Sequence, residues 1–444
     1  MTVRIAGTSA TEIADSVRRQ VEQGALAPGA ALPPVRTLAD ELGVNRNTVV
    51  AAYRLLTQAG VVEARGRAGT RITDRTPIAQ EGFAHGTVLR DLGTGNPDPR
   101  LIPDPSGVLD RIVGRPVLYG EPVVDRDLQA WATAWMRDAV GEDRPFRLTI
   151  TGGASDAIER LLAQTLTRDD AVALEDPCFL ASINTVRLGG YRPISVPVDA
   201  EGMTVEGLRV ALDAGARAVL LTPRAQNPTG ASLSARRADL LREVLAAHPY
   251  ALVIEDDHFS LLSAQPYRSV IPPDHRRWAL IRSVSKFLGP DMCLAITASD
   301  PDTADRLARR LNPGATWVSH LLQRLALGLL TDPHTISAVA AAGAHYAARN
   351  AAAAAALSGN GIPASAGDGL SLWVPVPAPA RAVSEQLMRR GWLARSGDEF
   401  VLTDPSAARH LRLTVHDLDN AELARLASDL SDAIAASVAN TKAG

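Results

Sequence analysis

The sequence is almost free of lysine. Lysine and arginine together number 46, but only Lys286 and Lys442 are lysines, and arginine occupies every other basic position. A composition this skewed indicates that arginine serves wherever only positive charge is needed. An internal lysine then marks a place where the amine must lose its proton and attack a carbonyl, which arginine cannot do. Lys286 is therefore a candidate for covalent chemistry, and the alternative is a chance survivor on a surface loop.

Cysteine and long hydrophobic runs are also scarce. The two cysteines, Cys178 and Cys293, are too few for a disulfide framework, and residues 1–10 lack the basic region and apolar core of a secretory signal. The longest apolar run, 338–357, is mostly alanine and is broken by polar and charged residues, which favours a helix of a soluble protein. We therefore expect a cytoplasmic protein with no membrane segment.

The length and the distribution of charge predict more than one domain. The 444 residues are too many for one ordinary domain. Residues 1–75 carry ten arginines and seven acidic residues, a net charge of +3, which leaves 36 basic and 42 acidic residues, or −6, in the rest. We predict a first domain at 1–75, a flexible linker at 76–90 and a large domain at 91–444. The first domain is the candidate for an anionic partner.

The N-terminal part has the spacing of a helix-turn-helix. Apolar residues at every fourth position predict an amphipathic helix at 11–23, and two short helical patterns follow at 35–42 and 45–59. The last of these opens with four polar residues, which suits insertion of its N-terminus into the major groove. Residues 61–72 predict two short strands joined by a basic, glycine-containing turn, which is a wing.

This part closely resembles the winged helix-turn-helix of the GntR regulator family over residues 10–73, through many matching positions between Leu32 and Val49. The resemblance implies a double-stranded DNA operator as partner. Arginine can bind guanine or phosphate, and asparagine can pair with adenine. The predicted DNA-binding residues are Arg36, Arg46, Thr48 and Gly66 from the resemblance, and Asn45, Asn47, Arg65 and Arg67 from their chemistry. The alternative is three solvated helices with a basic hairpin.

Beyond residue 90, strand-like apolar runs alternate with amphipathic helices. This alternation predicts a mostly parallel sheet covered by helices on both faces, with ligands bound at the loops that leave the strand ends. The predicted strands are 147–151, 171–175, 218–222, 251–255, 278–283 and 294–298.

Several of these runs are followed by residues that suit a cofactor. Residues 151–158 form a small-residue turn that opens a helix, where backbone N–H groups and the helix dipole favour a phosphate. Phe179 could stack on an aromatic ring, although a core phenylalanine is an equal alternative. Residues 227–230 are an Asn-Pro-Thr-Gly turn, and three acidic residues stand at 255–257.

Residues 283–290, Ser-Val-Ser-Lys-Phe-Leu-Gly-Pro, resemble the cofactor-lysine motif of fold-type I aminotransferases, and the Asn-Pro-Thr-Gly turn is typical of the same fold. The resemblance implies pyridoxal 5'-phosphate attached to Lys286, with Asn227 at its phenolic oxygen and Asp256 at its pyridine nitrogen. It also implies that Arg412 binds an effector carboxylate. The predicted cofactor-binding residues are Ala154, Ser155, Phe179, Asn227, Asp256, His258, Ser283 and Lys286.

The combination of a GntR-like domain, a linker and this large domain resembles the MocR type of bacterial regulator over nearly the whole chain. It implies an α+β winged helix-turn-helix followed by an α/β fold-type I aminotransferase-like domain with a smaller C-terminal α+β subdomain from about residue 335. It also implies a transcription factor that senses an amine or amino acid through pyridoxal phosphate on Lys286, as a head-to-tail homodimer. His258 stands where these regulators usually have a tyrosine.

One position departs from the family pattern. The family usually has an arginine seven residues after the lysine, where it pairs with the cofactor phosphate, and here that residue is Cys293. A thiol cannot replace a guanidinium beside a dianion. The free energy of binding the cofactor phosphate should therefore weaken by ~a few kcal/mol unless another arginine substitutes. Two alternatives stay open: a transaminase with an attached DNA-binding domain, and a cofactor-independent DNA-binding dimer with a decayed site.

Overall fold

The computed structural model divides the chain into two compact units, Met1–Ala79 and Gln80–Gly444. Each unit has hydrophobic cores of its own. The predicted DNA-binding residues Arg65, Gly66 and Arg67, and most of the predicted linker, lie outside the described residues. The structure describes residues 5–58, 61–64, 69–72, 82, 84, 87–112, 114–311, 317–403 and 405–443.

The first unit is a winged helix-turn-helix. Helix α1 begins with a capping box, in which Ser9 accepts from the Glu12 N–H and the Glu12 carboxylate accepts from the backbone of Ser9. The turn between the next two helices uses Gly43 in the left-handed conformation, φ 66°. The elements are α1 (Ala10–Glu22), α2 (Val35–Leu42), α3 (Arg46–Gln58) and the antiparallel strands β1 (Val62–Ala64) and β2 (Thr70–Ile72). The predicted fold of this domain is confirmed.

The second unit is built on an eight-stranded sheet in the order β4-β11-β10-β9-β8-β5-β6-β7. All strands run parallel except β7 and β11. The chain between β10 and β11 is too short for a crossover helix, so β11 returns antiparallel. After β3 (Arg90–Asp91), the strands of this sheet are β4 (Arg147–Thr151), β5 (Ala171–Asp176), β6 (Arg192–Asp199), β7 (Gly202–Met203), β8 (Ala216–Leu221), β9 (Leu252–Asp256), β10 (Trp278–Ser283) and β11 (Ala295–Ser299).

Helices cover both faces of this sheet and enclose two separate apolar cores. One core contains Leu128 and Leu241, and the other contains Ile158 and Leu307, all fully buried or nearly so. The helices are α4 (Arg126–Val140), α5 (Ala154–Thr165), α6 (Leu180–Leu188), α7 (Val205–Asp213), α8 (Ala235–Ala246), α9 (Ser285–Leu288), α10 (Pro301–Leu311), α11 (His320–Thr331) and α12 (Pro333–Gly359). The mostly parallel, helix-covered sheet predicted from the alternating pattern is confirmed.

A smaller subdomain follows α12 around a three-stranded antiparallel sheet, β12-β15-β14. Its core includes Leu92, which lies far earlier in the chain, because β3 pairs in parallel with β13. The elements are β12 (Ser371–Pro375), α13 (Ala380–Met388), β13 (Trp392–Leu393), β14 (Arg395–Ser396), β15 (His410–Thr414) and α14 (Asn420–Ala443). The chain therefore enters the second unit through the small subdomain before it builds the large sheet.

Within the described part of the chain, no single helix has the length and apolarity to cross a membrane. The bent pair α11 and α12, with 76° between the two helices, meets that test only by length and composition taken together.

Candidate functional site

A cavity of about 320 Å³ lies at the carboxyl ends of the parallel strands. Strand ends in such a sheet point at the same edge, which is where α/β folds bind ligands. Eight predicted cofactor-binding residues come together on its wall: Ala154, Ser155, Phe179, Asn227, Asp256, His258, Ser283 and Lys286.

Lys286 lies in a single-turn helix just after the C-terminal end of β10. Helix α9 starts directly after the buried strand and ends at Gly289, whose φ of 102° turns the chain back toward β11. The Nζ atom of Lys286 donates to the backbone oxygen of Gly95 at 2.9 Å. The hydroxyl oxygens of Ser283 and Ser285 lie 3.2 Å apart beside it. The fold therefore points the one internal lysine into the cavity from the sheet edge.

Asp256 is the last residue of β9 and its carboxyl group is buried. Burial, together with the neighbouring Asp257 carboxylate, raises the pKa of Asp256 to about 7. Its Oδ1 atom has no hydrogen-bond partner among the described residues. A buried carboxyl oxygen without a donor is costly. It fits a ligand that brings a protonated ring nitrogen, as pyridoxal phosphate does.

His258 lies two residues further on and also lines the cavity. Burial, with the Lys286 ammonium nearby, lowers the pKa of His258 to about 4. The imidazole is therefore neutral at physiological pH. A neutral imidazole can donate one hydrogen bond to a ligand oxygen, as the tyrosine usual at this position would.

The start of α5 forms the other end of the cavity. Gly153 caps this helix with a φ of 96°, a conformation that favours glycine, and Ala154 and Ser155 follow in the first turn. The N–H groups and the dipole of a helix start favour an anion. The thiol of Cys293 donates to the Gly152 oxygen at 3.3 Å, so the sulfur lies beside the start of this helix. Among the described residues that line the cavity, none is an arginine.

Arg412 is fully buried in β15, beside the cavity but not on its wall. Its Nη2 atom donates to the Gly93 oxygen at 2.8 Å, and its Nη1 atom donates to Oδ1 of Asn227 at 3.2 Å. The guanidinium lies 4.7 Å from the centre of the Phe400 ring. Because Arg412 occupies the Asn227 oxygen, the Asn227 amide nitrogen is the atom left to donate to a ligand in the cavity.

Two residues behind the Asn-Pro-Thr-Gly turn hold it in place and were not predicted. The Gln226 side chain donates to the Pro177 oxygen at 2.8 Å and to the Glu175 carboxylate at 3.3 Å, and accepts from Thr229. Glu175 is buried at the end of β5, and burial raises its pKa to about 8. Glutamine beside the turn and glutamate after an apolar run were visible in the sequence, but their contact depends on the sheet order.

A buried charged cluster was also missed. Asp257 accepts from Arg224 at 2.7 and 2.9 Å and from Arg282 at 2.9 Å. Both guanidinium groups also lie over the Tyr267 ring, at 5.8 and 5.3 Å. These contacts tie the end of β9, which carries Asp256, to β10, which leads into the helix of Lys286.

In the first unit, the structure separates the predicted DNA-binding residues by accessibility. Arg36, Arg46 and Asn47 are exposed, and Thr48 is half-buried. The Asn45 side-chain oxygen accepts from the Asn47 N–H at 2.9 Å, so it caps α3. A capped helix start with exposed basic residues suits approach to phosphates and base edges.

Comparison with known proteins identifies both parts. Residues 9–72 match the family described as bacterial regulatory proteins, gntR family, and residues 116–430 match aminotransferase class I and II. The chain is 49% identical to the vitamin B6 salvage pathway transcriptional repressor PtsJ of Salmonella typhimurium, covering 97% of this chain and 99% of that protein. It is 24% identical to the probable rhizopine catabolism regulatory protein MocR of Rhizobium meliloti, covering 72% and 71%.

The second unit also has structural neighbours among solved aminotransferases. The α-aminoadipate aminotransferase LysN from Thermus thermophilus superimposes with a TM-score of 0.69 at 21% identity, covering 79% of this chain and 93% of that one. At this identity the likeness establishes the fold. The chain belongs to the bacterial transcriptional regulators of the MocR and PtsJ type, which join a GntR-family DNA-binding domain to an aminotransferase class I and II domain.

Proposed function

We propose that this regulator binds pyridoxal 5'-phosphate through Lys286 and that an amine or amino acid at the same site changes its affinity for DNA. The observation that carries the proposal is one cavity in which the Lys286 amine, the unpaired Asp256 oxygen and the Asn227 amide stand together. When bound, the cofactor would supply an aldehyde for the lysine and an aromatic ring that withdraws electrons.

Each group in the cavity would have one task. Lys286 would hold the cofactor covalently, Asp256 would keep the ring nitrogen protonated, and Asn227 would donate to the phenolic oxygen. Ser155, Ser283 and the N–H groups of the α5 start would hold the phosphate, with no guanidinium from the described lining. Phe179 would pack against the ring, and His258 would donate to a ligand oxygen.

The hydrogen bonds of Lys286 and Arg412 offer a route by which a ligand in the cavity could change DNA binding by the first unit. Lys286 donates to Gly95 and Arg412 donates to Gly93, both in the segment that directly follows β3 and the linker. A ligand at the amine would redirect Lys286, and a carboxylate would compete with the Gly93 oxygen for Arg412. Residues 93–96 would then lose both hydrogen bonds to the cavity side chains. Ligand binding would therefore change how firmly the segment after the linker is held against the second unit.

The relative named PtsJ supports a physiological setting. Because that protein is a repressor of a vitamin B6 salvage pathway and is 49% identical over nearly the whole chain, we propose that this protein represses genes of the same kind. In that setting, occupancy of Lys286 by a B6 vitamer would itself change the affinity for DNA, in addition to the effect of the amine or amino acid.

We further propose a head-to-tail homodimer. Tyr119 and Leu118 are 88% and 65% exposed, and Leu321 on the adjacent α11 is 59% exposed. The Tyr119 ring contacts that of Trp317 at 5.4 Å. Exposed apolar groups on neighbouring elements favour binding of a second copy of the chain, because the same apolar patch on two copies can pack together about a two-fold axis. Leu118→Asp with Leu321→Asp should give monomers in analytical ultracentrifugation, whereas Leu188→Asp, at a similarly exposed leucine on α6, should not.

A transaminase is the second candidate, since Lys286, Asp256, Asn227 and Arg412 are all present.

Absorption spectroscopy with added pyridoxal phosphate tests covalent cofactor binding, the first step that both candidate functions share. A visible band that appears with the wild type, is absent with Lys286→Ala and disappears after borohydride would support the proposal. If no band appears, the large domain binds no cofactor covalently. Sustained conversion of an amino donor and a keto acid would instead favour the transaminase.

A further inference from the structure

Helix α3 presents a continuous exposed face that the predicted DNA-binding residues cover only in part. Positions 46, 50 and 54 form one row along the helix, and 47 and 51 form the adjacent row. All five residues are exposed, while Val49, Ala52, Tyr53 and Leu56 on the opposite side are buried in the core. The Tyr53 hydroxyl donates to the Pro33 oxygen at 2.6 Å, which fixes the rotation of the helix.

The exposed face has basic ends and an apolar centre. Arg46 and Asn47 stand at one end, Arg54 at the other, and Val50 and Ala51 between them. Val50 is 49% exposed, so its side chain is accessible to a partner. The helix carries no acidic residue anywhere along its length.

We propose that Val50 and Ala51 read the 5-methyl groups of thymines in the major groove of the operator. The face from residue 46 to residue 54 is about 12 Å long, which corresponds to three or four base pairs. The methyl group is the only apolar feature of a base edge in that groove, and small apolar side chains are its usual partners. Arg46 and Arg54 contact phosphates or guanines on either side, so the thymines lie at the centre of the half-site.

The test replaces single thymines by deoxyuridine, which removes the methyl group and leaves every hydrogen bond of the base pair unchanged. Duplexes are first selected by the full-length protein from a random-sequence library. Affinity is then measured for a selected duplex in which each thymine is replaced in turn. We expect one or two positions per half-site where the replacement weakens binding by about four-fold, the value of burying one methyl-sized group.

A substitution at Val50 tests whether the affinity lost with deoxyuridine comes from contact with this side chain. Val50→Ala should reduce the preference for thymine over deoxyuridine to below about two-fold at the position that Val50 contacts. Leu55→Ala is the matched control, because Leu55 is also exposed on α3, at 37%, but lies one turn beyond Ala51 in the second row, past Arg54, where the proposed reading face ends. It should keep the wild-type preference.

Three outcomes would overturn the inference: deoxyuridine at every position binds as tightly as thymine, Val50→Ala keeps the full preference, or the library yields no preferred sequence. Circular dichroism spectra of both variants should match that of the wild type, and this control separates a loss of discrimination from unfolding.

Discussion

Burial shifts the protonation of three side chains around the cavity in opposite senses. The pKa of Glu175 is raised to about 8 and that of Asp256 to about 7, while the pKa of His258 is lowered to about 4. The folded state keeps protons on the acids that the unfolded chain releases, so stability falls as pH rises from 4.5 to 8. It keeps His258 neutral when the unfolded chain binds a proton, so stability also falls as pH drops from 6.5 to 4.

Glu175→Gln tests the first of these effects. Glutamine keeps the shape of the side chain and its oxygen still accepts from Thr222 and Gln226, but it does not titrate. The free energy of unfolding of the wild type should fall relative to that of the variant by ~1–3 kcal/mol between pH 5 and pH 8. Chemical denaturation across this range measures it. Glu243→Gln, at an exposed glutamate of α8, should follow the wild type, and parallel curves for Glu175→Gln would contradict the assignment.

Asp256→Asn tests whether this carboxyl group faces a cationic ring. The amide has the same size but cannot pair as an anion with a protonated nitrogen, so affinity for pyridoxal phosphate should fall by about ten-fold or more. Titration of the visible absorption band gives the dissociation constant. The same substitution at Asp239, an exposed residue that pairs with Arg242, should leave the constant unchanged. Equal affinity in Asp256→Asn and wild type would contradict the role of Asp256.

At the scale of elements, the small subdomain meets the large one where two glycines touch. A Cβ atom on Gly230, which has a φ of 72°, would lie 2.8 Å from the Asp368 oxygen and 2.9 Å from the Gly367 Cα. The Asp368 N–H also donates to the Gly230 oxygen at 2.9 Å. The Asn-Pro-Thr-Gly turn therefore forms part of the contact between the two subdomains as well as part of the cavity.

Gly230→Ala should therefore displace this contact. Gly215→Ala is the matched control, because Gly215 also has a positive φ, 90°, but has no atom near the added Cβ. Both variants incur the backbone strain, about 1 kcal/mol, and only Gly230→Ala also meets backbone atoms that cannot move aside. Thermal denaturation should place Gly230→Ala clearly below Gly215→Ala. If the two melt together, the contact is not rigid.

The sequence predicted most elements of the large sheet because each strand is a short apolar run bounded by turn residues. The run at 251–255 became β9 at 252–256, and that at 294–298 became β11 at 295–299. The eight-residue strand β6 and the strands β12 to β14 were not assigned, and the two-residue strands β13 and β14 carry too little pattern to be recognised. The pairing of β3 with β13 joins residues about three hundred positions apart, and no local signal indicates it.

The candidate site likewise contains residues that the sequence predicts and contacts that it does not. Residues that stand directly after strands, such as Asp256 and Lys286, could be predicted because parallel strands bring their ends together. The contacts of Lys286 with Gly95, and of Arg224 with Asp257, could not, because they depend on which strands are neighbours. The run of glycine, asparagine and proline at 93–97 was a signal that residues after the linker have a special backbone role.

At the scale of the whole molecule, one chain joins a DNA-binding unit to an aminotransferase-like unit whose cavity is lined by the amine of Lys286. The segment from β3 to Asn96 follows the linker and accepts hydrogen bonds from Lys286 and Arg412. A regulator needs two states that a ligand distinguishes. The hydrogen bonds from Lys286 to Gly95 and from Arg412 to Gly93 are contacts with which a ligand at these two side chains would compete.

Control of DNA binding by a ligand at Lys286 is the central claim. It is tested by the affinity of wild type and Lys286→Ala for a selected operator duplex, each with and without pyridoxal phosphate. We predict a change of about five-fold or more in the wild type and none in Lys286→Ala, because only the wild type can bind the cofactor covalently. The same shift in both proteins, or no shift in the wild type, would contradict it.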